Sequence, residues 1–209
     1  MTFEEKLEVA DLLDALGVDV IEAGFPIASE GDFEAVTAIA KRVKRASVAG
    51  LARAAFKDID RCAEAVRHAV RPRIHTFIST SPVHMKYKLQ MEPERVLELV
   101  ASSVTRARNH VADVEWSAED GTRTEIDFLC RCVETAIKAG ATTINTTGTA
   151  GTTIGNASST TTIGGPLVLS GAATFAGITD NGTLTQTGTA NINTTGAAGT
   201  NIGNASSAT

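Results

Sequence analysis

Charge stops abruptly along this chain. Of its 43 charged side chains, 42 lie between Glu4 and Lys138, and the 69 residues from Ala141 onward carry only Asp180. In that last stretch Thr, Gly, Asn, Ser and Ala fill 55 positions. Such a composition buries little apolar area to set against its ordering entropy, whereas the earlier residues mix apolar, acidic and basic types as α/β proteins do. The chain therefore divides into residues 1–145, which bear on chemistry, and 146–209, which do not.

The bulk properties exclude several classes. No run approaches the roughly 18 to 20 apolar residues of a membrane span, and Met1-Thr2-Phe3-Glu4-Glu5-Lys6 is charged where a signal peptide would be apolar. A cytoplasmic location without membrane partners is expected. The net charge of −5 comes with no basic block, which argues against a nucleic-acid partner. Cys62, Cys130 and Cys132 are odd in number and lack a CxxC spacing, so reduced structural thiols are expected rather than a metal or redox pair.

Periodicity supplies the fold class. Thr2-x-x-Glu5 forms a capping-box pattern, and Phe3, Leu7, Ala10, Leu13 and Leu16 recur at helical spacing until Gly17 provides a stop. Further helical patterns run over 32–45, 58–69, 93–110 and 124–139, the last closed by Gly140. Between them, 18–24, 47–52, 73–80, 111–117 and 141–144 read as strands. Five strands alternating with five helices imply βαβ units and a parallel sheet. A helix ahead of the first strand suggests that the chain starts inside a βα unit. No GxGxxG or GxxxxGK[ST] loop follows any strand, so a dinucleotide-binding sheet has no support.

Polar residues collect toward the strand C-termini: Glu22, Arg53, His75, Ser79, Thr80 and Ser81, then Glu115, Ser117, Glu119 and Asp120. That rim is where a (β/α)8 barrel assembles its chemistry. Four strings carry a resemblance: GVDVIEAGFP from Gly17, RIHTFISTSPVHMKYKL from Arg73, DVEWSAEDGTRT from Asp113 and AGATTIN from Ala139. Together they resemble the 2-isopropylmalate synthases, acyltransferases that open leucine biosynthesis. The resemblance covers about residues 2–145 and implies a partial (β/α)8 TIM barrel.

The resemblance further implies a Claisen condensation in which a divalent metal, magnesium or manganese, binds 3-methyl-2-oxobutanoate and acetyl-CoA supplies the carbon nucleophile. By position in the matching strings, Glu22, His75, Ser117 and Glu119 are expected to contact the small-molecule substrates. Structural alternatives stand beside that reading. His75 also suits a hydrogen bond inside the barrel, and Glu22 or Glu119 an ion pair. His68, His84 and His110 fall on helical or loop patterns and are expected to be solvated.

The family pattern is incomplete here. The Arg-Asp-Gly-x-Gln motif that supplies a catalytic arginine and a metal-binding aspartate has no counterpart, and no HxH pair occurs. No complete catalytic set and no metal ligands are therefore expected, and turnover by this chain alone is not expected. Five strands instead of eight are expected to leave open edges and an apolar interior face in water. Self-association through those edges, or through the tail, is a further expectation.

The tail contains a repeat. INTTGTAGTTIGNASSTT from Ile144 and INTTGAAGTNIGNASSAT from Ile192 agree at 15 of 18 positions, 48 residues apart. Isolated Ile residues within Thr-rich segments suit either stacked β-solenoid rungs or a disordered low-complexity stretch. The composition resembles Thr/Gly/Asn repeats of phage tail fibres and adhesins. A fibre-like protein that has recruited a barrel fragment is the alternative function.

Overall fold

A computed structural model of the protein describes residues 1–145. The readings of the repeat tail lie outside the described residues. Five strands occur among them: β1 (Val20–Gly24), β2 (Ser47–Arg53), β3 (Pro72–Ser79), β4 (Asp113–Glu119) and β5 (Thr143–Asn145). They pair in parallel in the order β1-β2-β3-β4-β5. Each strand lies beside its predecessor, with no reversal of order. A doubly wound sheet would need such a reversal, so this is the winding of a partial (β/α)8 barrel.

The helices are α1 (Phe3–Leu16), α2 (Glu30–Arg42), α3 (Phe56–Val66), α4 (Pro82–His84), α5 (Pro93–Arg108) and α6 (Ile126–Lys138). The capping box forms as the sequence predicts. Thr2 Oγ1 accepts from the Glu5 amide at 3.2 Å while Glu5 Oε2 accepts from the Thr2 amide at 2.7 Å, and Gly17 ends α1 at φ 81°. The second helix departs from expectation at both ends. It is capped by Ser29 and begins at Glu30, which puts Asp32 inside the first turn. It stops at Arg42 because the Asp14 carboxylate accepts from the amides of Lys44, Arg45 and Ala46 and draws that segment out of the helix.

The expected apolar stripe of α1 is only partly used. Ala10 is buried and Leu7 and Leu13 pack beside it against Ile21, Ile39 and Val48, but Phe3 and Leu16 are exposed. One helix, α4, is absent from the sequence reading. It is a single turn capped by Ser81, with Pro82 at its start, and it runs into a π-helical turn at Met85–Leu89. Gln90 at φ 53° then ends that turn in the left-handed region.

Alternation decides what each face of the sheet carries. Ile74, Ile78, Val114 and Trp116 point to one side and are buried with Ile59, Val100 and Leu129 of the helices. On the other side the intervening residues bond in two groups, Arg73, His75, Asp113, Glu115 and Ser117 in one and Ser79 with Glu119 in the other. The expectation of an apolar interior face is therefore wrong. Apolar residues take the positions covered by helices, and the inner face holds charged and hydroxyl groups that satisfy each other, with Leu51 and Phe77 half-buried among them.

Close approach of α3 to the sheet depends on one glycine. A Cβ on Gly50 would stand 2.6 Å from Cys62 Sγ and 3.2 Å from Val66 Cγ1, both of α3. Something would have to move in a core packed to crystal density. Gly50→Ala is expected to lower stability by roughly 1–3 kcal/mol, read as a shift in the urea midpoint with unchanged slope. An unaltered midpoint would show that α3 has room to retreat.

Candidate active site on the inner face of the sheet

Strand register brings distant sequence positions side by side. His75 lies opposite Leu51 on one neighbour and Glu115 on the other, while Ser117 lies opposite Phe77 and Asn145. Glu22 reaches the same face from β1. His75 Nδ1 is 2.5 Å from Glu22 Oε2, and His75 Nε2 is 2.7 Å from Ser117 Oγ. Three of the four residues expected to contact substrate thus form one hydrogen-bonded chain. The hydrogen-bonding and ion-pair alternatives for His75 and Glu22 are realised in the same contacts.

Proton placement follows from the acceptor at each end. An ionised Glu22 can only accept, so Nδ1 carries the proton and donates it, which leaves Nε2 of a neutral imidazole to accept from the Ser117 hydroxyl. The hydrogen bond from His75 holds the Glu22 carboxyl below the usual carboxylate range, against the opposing effect of burial. The His75 ring is fixed by its surroundings, with 11% of its side chain exposed.

Beneath this chain sits an ion-pair layer. Arg73 Nε donates to Asp113 Oδ2 at 2.8 Å and its Nη1 to Glu115 Oε2 at 3.1 Å. Asn145 Nδ2 donates to the other Glu115 oxygen at 3.0 Å. The side chains of Arg73 and Glu115 are only 16% and 12% exposed, so each needs its partner. The sequence reading placed Glu115 on the rim but missed Arg73. Arg73 is two residues before His75 on one strand, and that spacing was the available signal.

Glu119, the fourth expected residue, stands apart in a second cluster. Lys88 Nζ contacts its oxygens at 2.7 and 2.6 Å and also donates to Ser79 Oγ at 3.2 Å, while the Ser79 hydroxyl donates to Glu119 Oε2. Burial pushes the Glu119 carboxyl up, but the hydrogen bonds from Lys88 and Ser79, with the Lys88 charge, outweigh it and leave it lowered. Lys88 comes from the π-helical turn. Such turns concentrate at functional sites, and no sequence pattern announced this one.

Next to it, Asp120 adopts φ 62° and accepts from Arg123 Nε at 2.7 Å. His84 Nδ1 lies 3.5 Å from Asp120 Oδ2, so the expectation of a solvated His84 fails; α4 half-buries it against the loop after β4. His68 and His110 are exposed, the latter 3.0 Å from Asp60. Arg53 sits over the Phe25 ring and donates to Asp58 at 2.6 Å, at the rim but outside both clusters. Among the described residues the three cysteines form no disulfide. Burial, with the nearby Glu22 charge, pushes Cys62 up to about 12, and burial pushes Cys132 to about 12 although Arg131 opposes it.

A singly wound parallel sheet with helices over one face and a polar rim on the other describes an α/β enzyme-type barrel domain. The profile of the HMGL-like family matches residues 1–161, and the chain belongs to that family. Its relatives include a 2-isopropylmalate synthase from a Bradyrhizobium strain, 77% identical over 151 residues, and one from Rhodopseudomonas palustris, 75% identical over the same length. In both comparisons 72% of this chain is covered, and the chain spans 29% of the length of the relative.

The electrostatics yield two expectations. Because Glu22 titrates in the folded chain below its unfolded value, its bond to His75 contributes fully above the unfolded carboxylate range and is lost as pH falls through the lowered folded value. Glu22→Gln should therefore be less stable than the parent near neutrality, with the gap closing in acid, as measured by urea unfolding at both pH values. Independently, Lys88→Met should raise the pH at which the Glu119 carboxyl carbon titrates by NMR, because it removes the main group holding that carboxyl ionised. An unmoved titration would place the control of Glu119 elsewhere.

Proposed function

We propose that residues 1–145 form one side of the substrate pocket of an acyltransferase of the 2-isopropylmalate synthase type. In that reaction acetyl-CoA supplies the carbon nucleophile and 3-methyl-2-oxobutanoate the keto carbon, as the opening step of leucine biosynthesis in the cytoplasm. The observation that supports this reading is the seating of Glu22, His75, Ser117 and Glu119 on one polar face, toward the strand ends where (β/α)8 enzymes assemble their chemistry. Consistent with the location, no helix among the described residues is long and apolar enough to cross a membrane.

Each residue has work that its surroundings suit. Ser117 and His75 offer a hydroxyl and an imidazole to a small oxo acid. Glu119, kept ionised by Lys88, can accept a proton, and so can His75 at Nε2. The Arg73 layer holds β3 and β4 in fixed register below them.

A divalent metal would polarise the keto carbonyl in the family's reaction. The donors present here do not fit one. Among the described residues no group of three or more His, Cys, Asp or Glu side chains could hold an ion, and Glu115 and Glu119, beside the hydrogen-bonded chain, are engaged by Arg73, Asn145 and Lys88. We infer that the chain alone does not turn over, because loss of such electrostatic stabilisation removes several kcal/mol of transition-state binding. Purified chain given magnesium or manganese, acetyl-CoA and the oxo acid should release CoA no faster than the protein-free blank. Release above blank, abolished by Glu119→Gln, would show that the residues present suffice.

A further inference from the structure

We propose that Glu22, His75 and Ser117 act as an acid–base–nucleophile relay in which Ser117 Oγ accepts an acyl group from an activated ester. This activity is distinct from condensation and rests on none of the residues that would hold a metal. The two contacts that define it are His75 Nδ1 to Glu22 Oε2 at 2.5 Å and His75 Nε2 to Ser117 Oγ at 2.7 Å. A base bonded to the nucleophile and oriented from behind by a carboxylate is what makes a serine hydroxyl reactive. The order of groups is right, and each contact is within reach.

Four further observations favour Ser117 over other nucleophiles. It stands on a central strand, paired on both sides, so its position is rigid. It is half-buried, on the face opposite the helices of the described residues, so its hydroxyl is partly accessible to an ester. The competing serine, Ser79, donates to Glu119 and accepts from Lys88, a cation that cannot take its proton. The thiols of Cys62 and Cys132 are buried and held protonated.

The step balances. As Ser117 Oγ bonds to the carbonyl carbon, its proton passes to His75 Nε2, and Glu22 steadies the resulting imidazolium. The ester C–O bond then breaks, the alcohol leaves as p-nitrophenolate when that ester is the probe, the imidazolium gives its proton up to water, and Ser117 is left acetylated. Water can later add to that acetyl group with His75 as base, returning acetate and the free hydroxyl. The amides of β4 serve the ladders to β3 and β5, so the oxyanion lacks the dedicated donors of a hydrolase. Each such donor is worth about 10²–10³ in rate, so acetylation should be slow and the adduct long-lived.

The full chain is incubated with p-nitrophenyl acetate, p-nitrophenolate is followed by absorbance, and the acetylated residue is located by peptide mass mapping. One acetyl group on Ser117 is expected. Its rate of formation should fall roughly a hundredfold in His75→Gln, the scale of general-base assistance, and less in Glu22→Gln. Ser117→Ala should lose both the adduct and the corresponding burst. An acetyl group found only on lysines or the N-terminus of the parent chain, or a Ser117 rate unchanged by His75→Gln, would overturn the proposal. The map of the parent chain decides the matter even if a variant fails to fold. No oxo acid or CoA is involved, so this assay and the condensation assay succeed or fail separately.

Discussion

The period-two alternation of five parallel strands in register is the constraint on which everything else rests. It sends Ile74, Val114 and Trp116 under the helices and leaves Arg73, His75, Glu115 and Ser117 on the opposite face. A slip of one residue in β3 or β4 would exchange the two sets, placing an arginine and a glutamate in the helix-packed core. An unpaired buried charge costs far more than the apolar contacts could return. Register and chemistry are thus specified by the same pattern. The hydrogen-bonded face penalises any shift as strongly as the apolar face does.

Pairing on the inner face is arranged in depth. Toward the strand N-terminal ends, Arg73 is bonded to Asp113 and Glu115, and Glu115 is shared with Asn145. These bonds cross from β3 to β4 and from β4 to β5, so they act as rungs. One step higher, His75 joins β1 to β4 through Glu22 and Ser117, spanning four strands with one side chain. At the top, Lys88 enters from outside the sheet. A π-helical turn adds one residue per turn over an α-helix, and that extra residue allows Met85–Leu89 to aim Lys88 at Glu119.

Much of this was legible in the sequence, for identifiable reasons. Strong local signals were read correctly: the Thr2–Glu5 capping box, the Gly17 stop, and five strand and helix alternations with ends within a few residues. Where boundaries moved, a tertiary bond moved them, as Asp14 does by capturing the amides after Arg42. Glu22, His75 and Ser117 were named together because their strings matched a family, but spacing could not show that they touch. Contacts between residues 53 and 42 positions apart depend on strand order and register. The polarity of the inner face was in principle readable: Arg73, His75 and Asp113, Glu115, Ser117, Glu119 each fall on alternate positions. It was missed because barrel interiors are commonly apolar, and that general expectation outweighed the local pattern.

The depth gradient also explains why the relay can be both rigid and reactive. Arg73 and Glu115, little exposed and bonded to each other and to Asp113 and Asn145, serve to fix their neighbours. Ser117 differs. Its hydroxyl gives its one proton to His75, which leaves its oxygen lone pairs able to accept. Rigid support below and unspent acceptor capacity above are the two conditions for a preorganised site, and they are met here by successive residues of a single strand face. A strand therefore suits this role better than a loop: its ladder bonds fix the backbone while every second side chain stays available for chemistry.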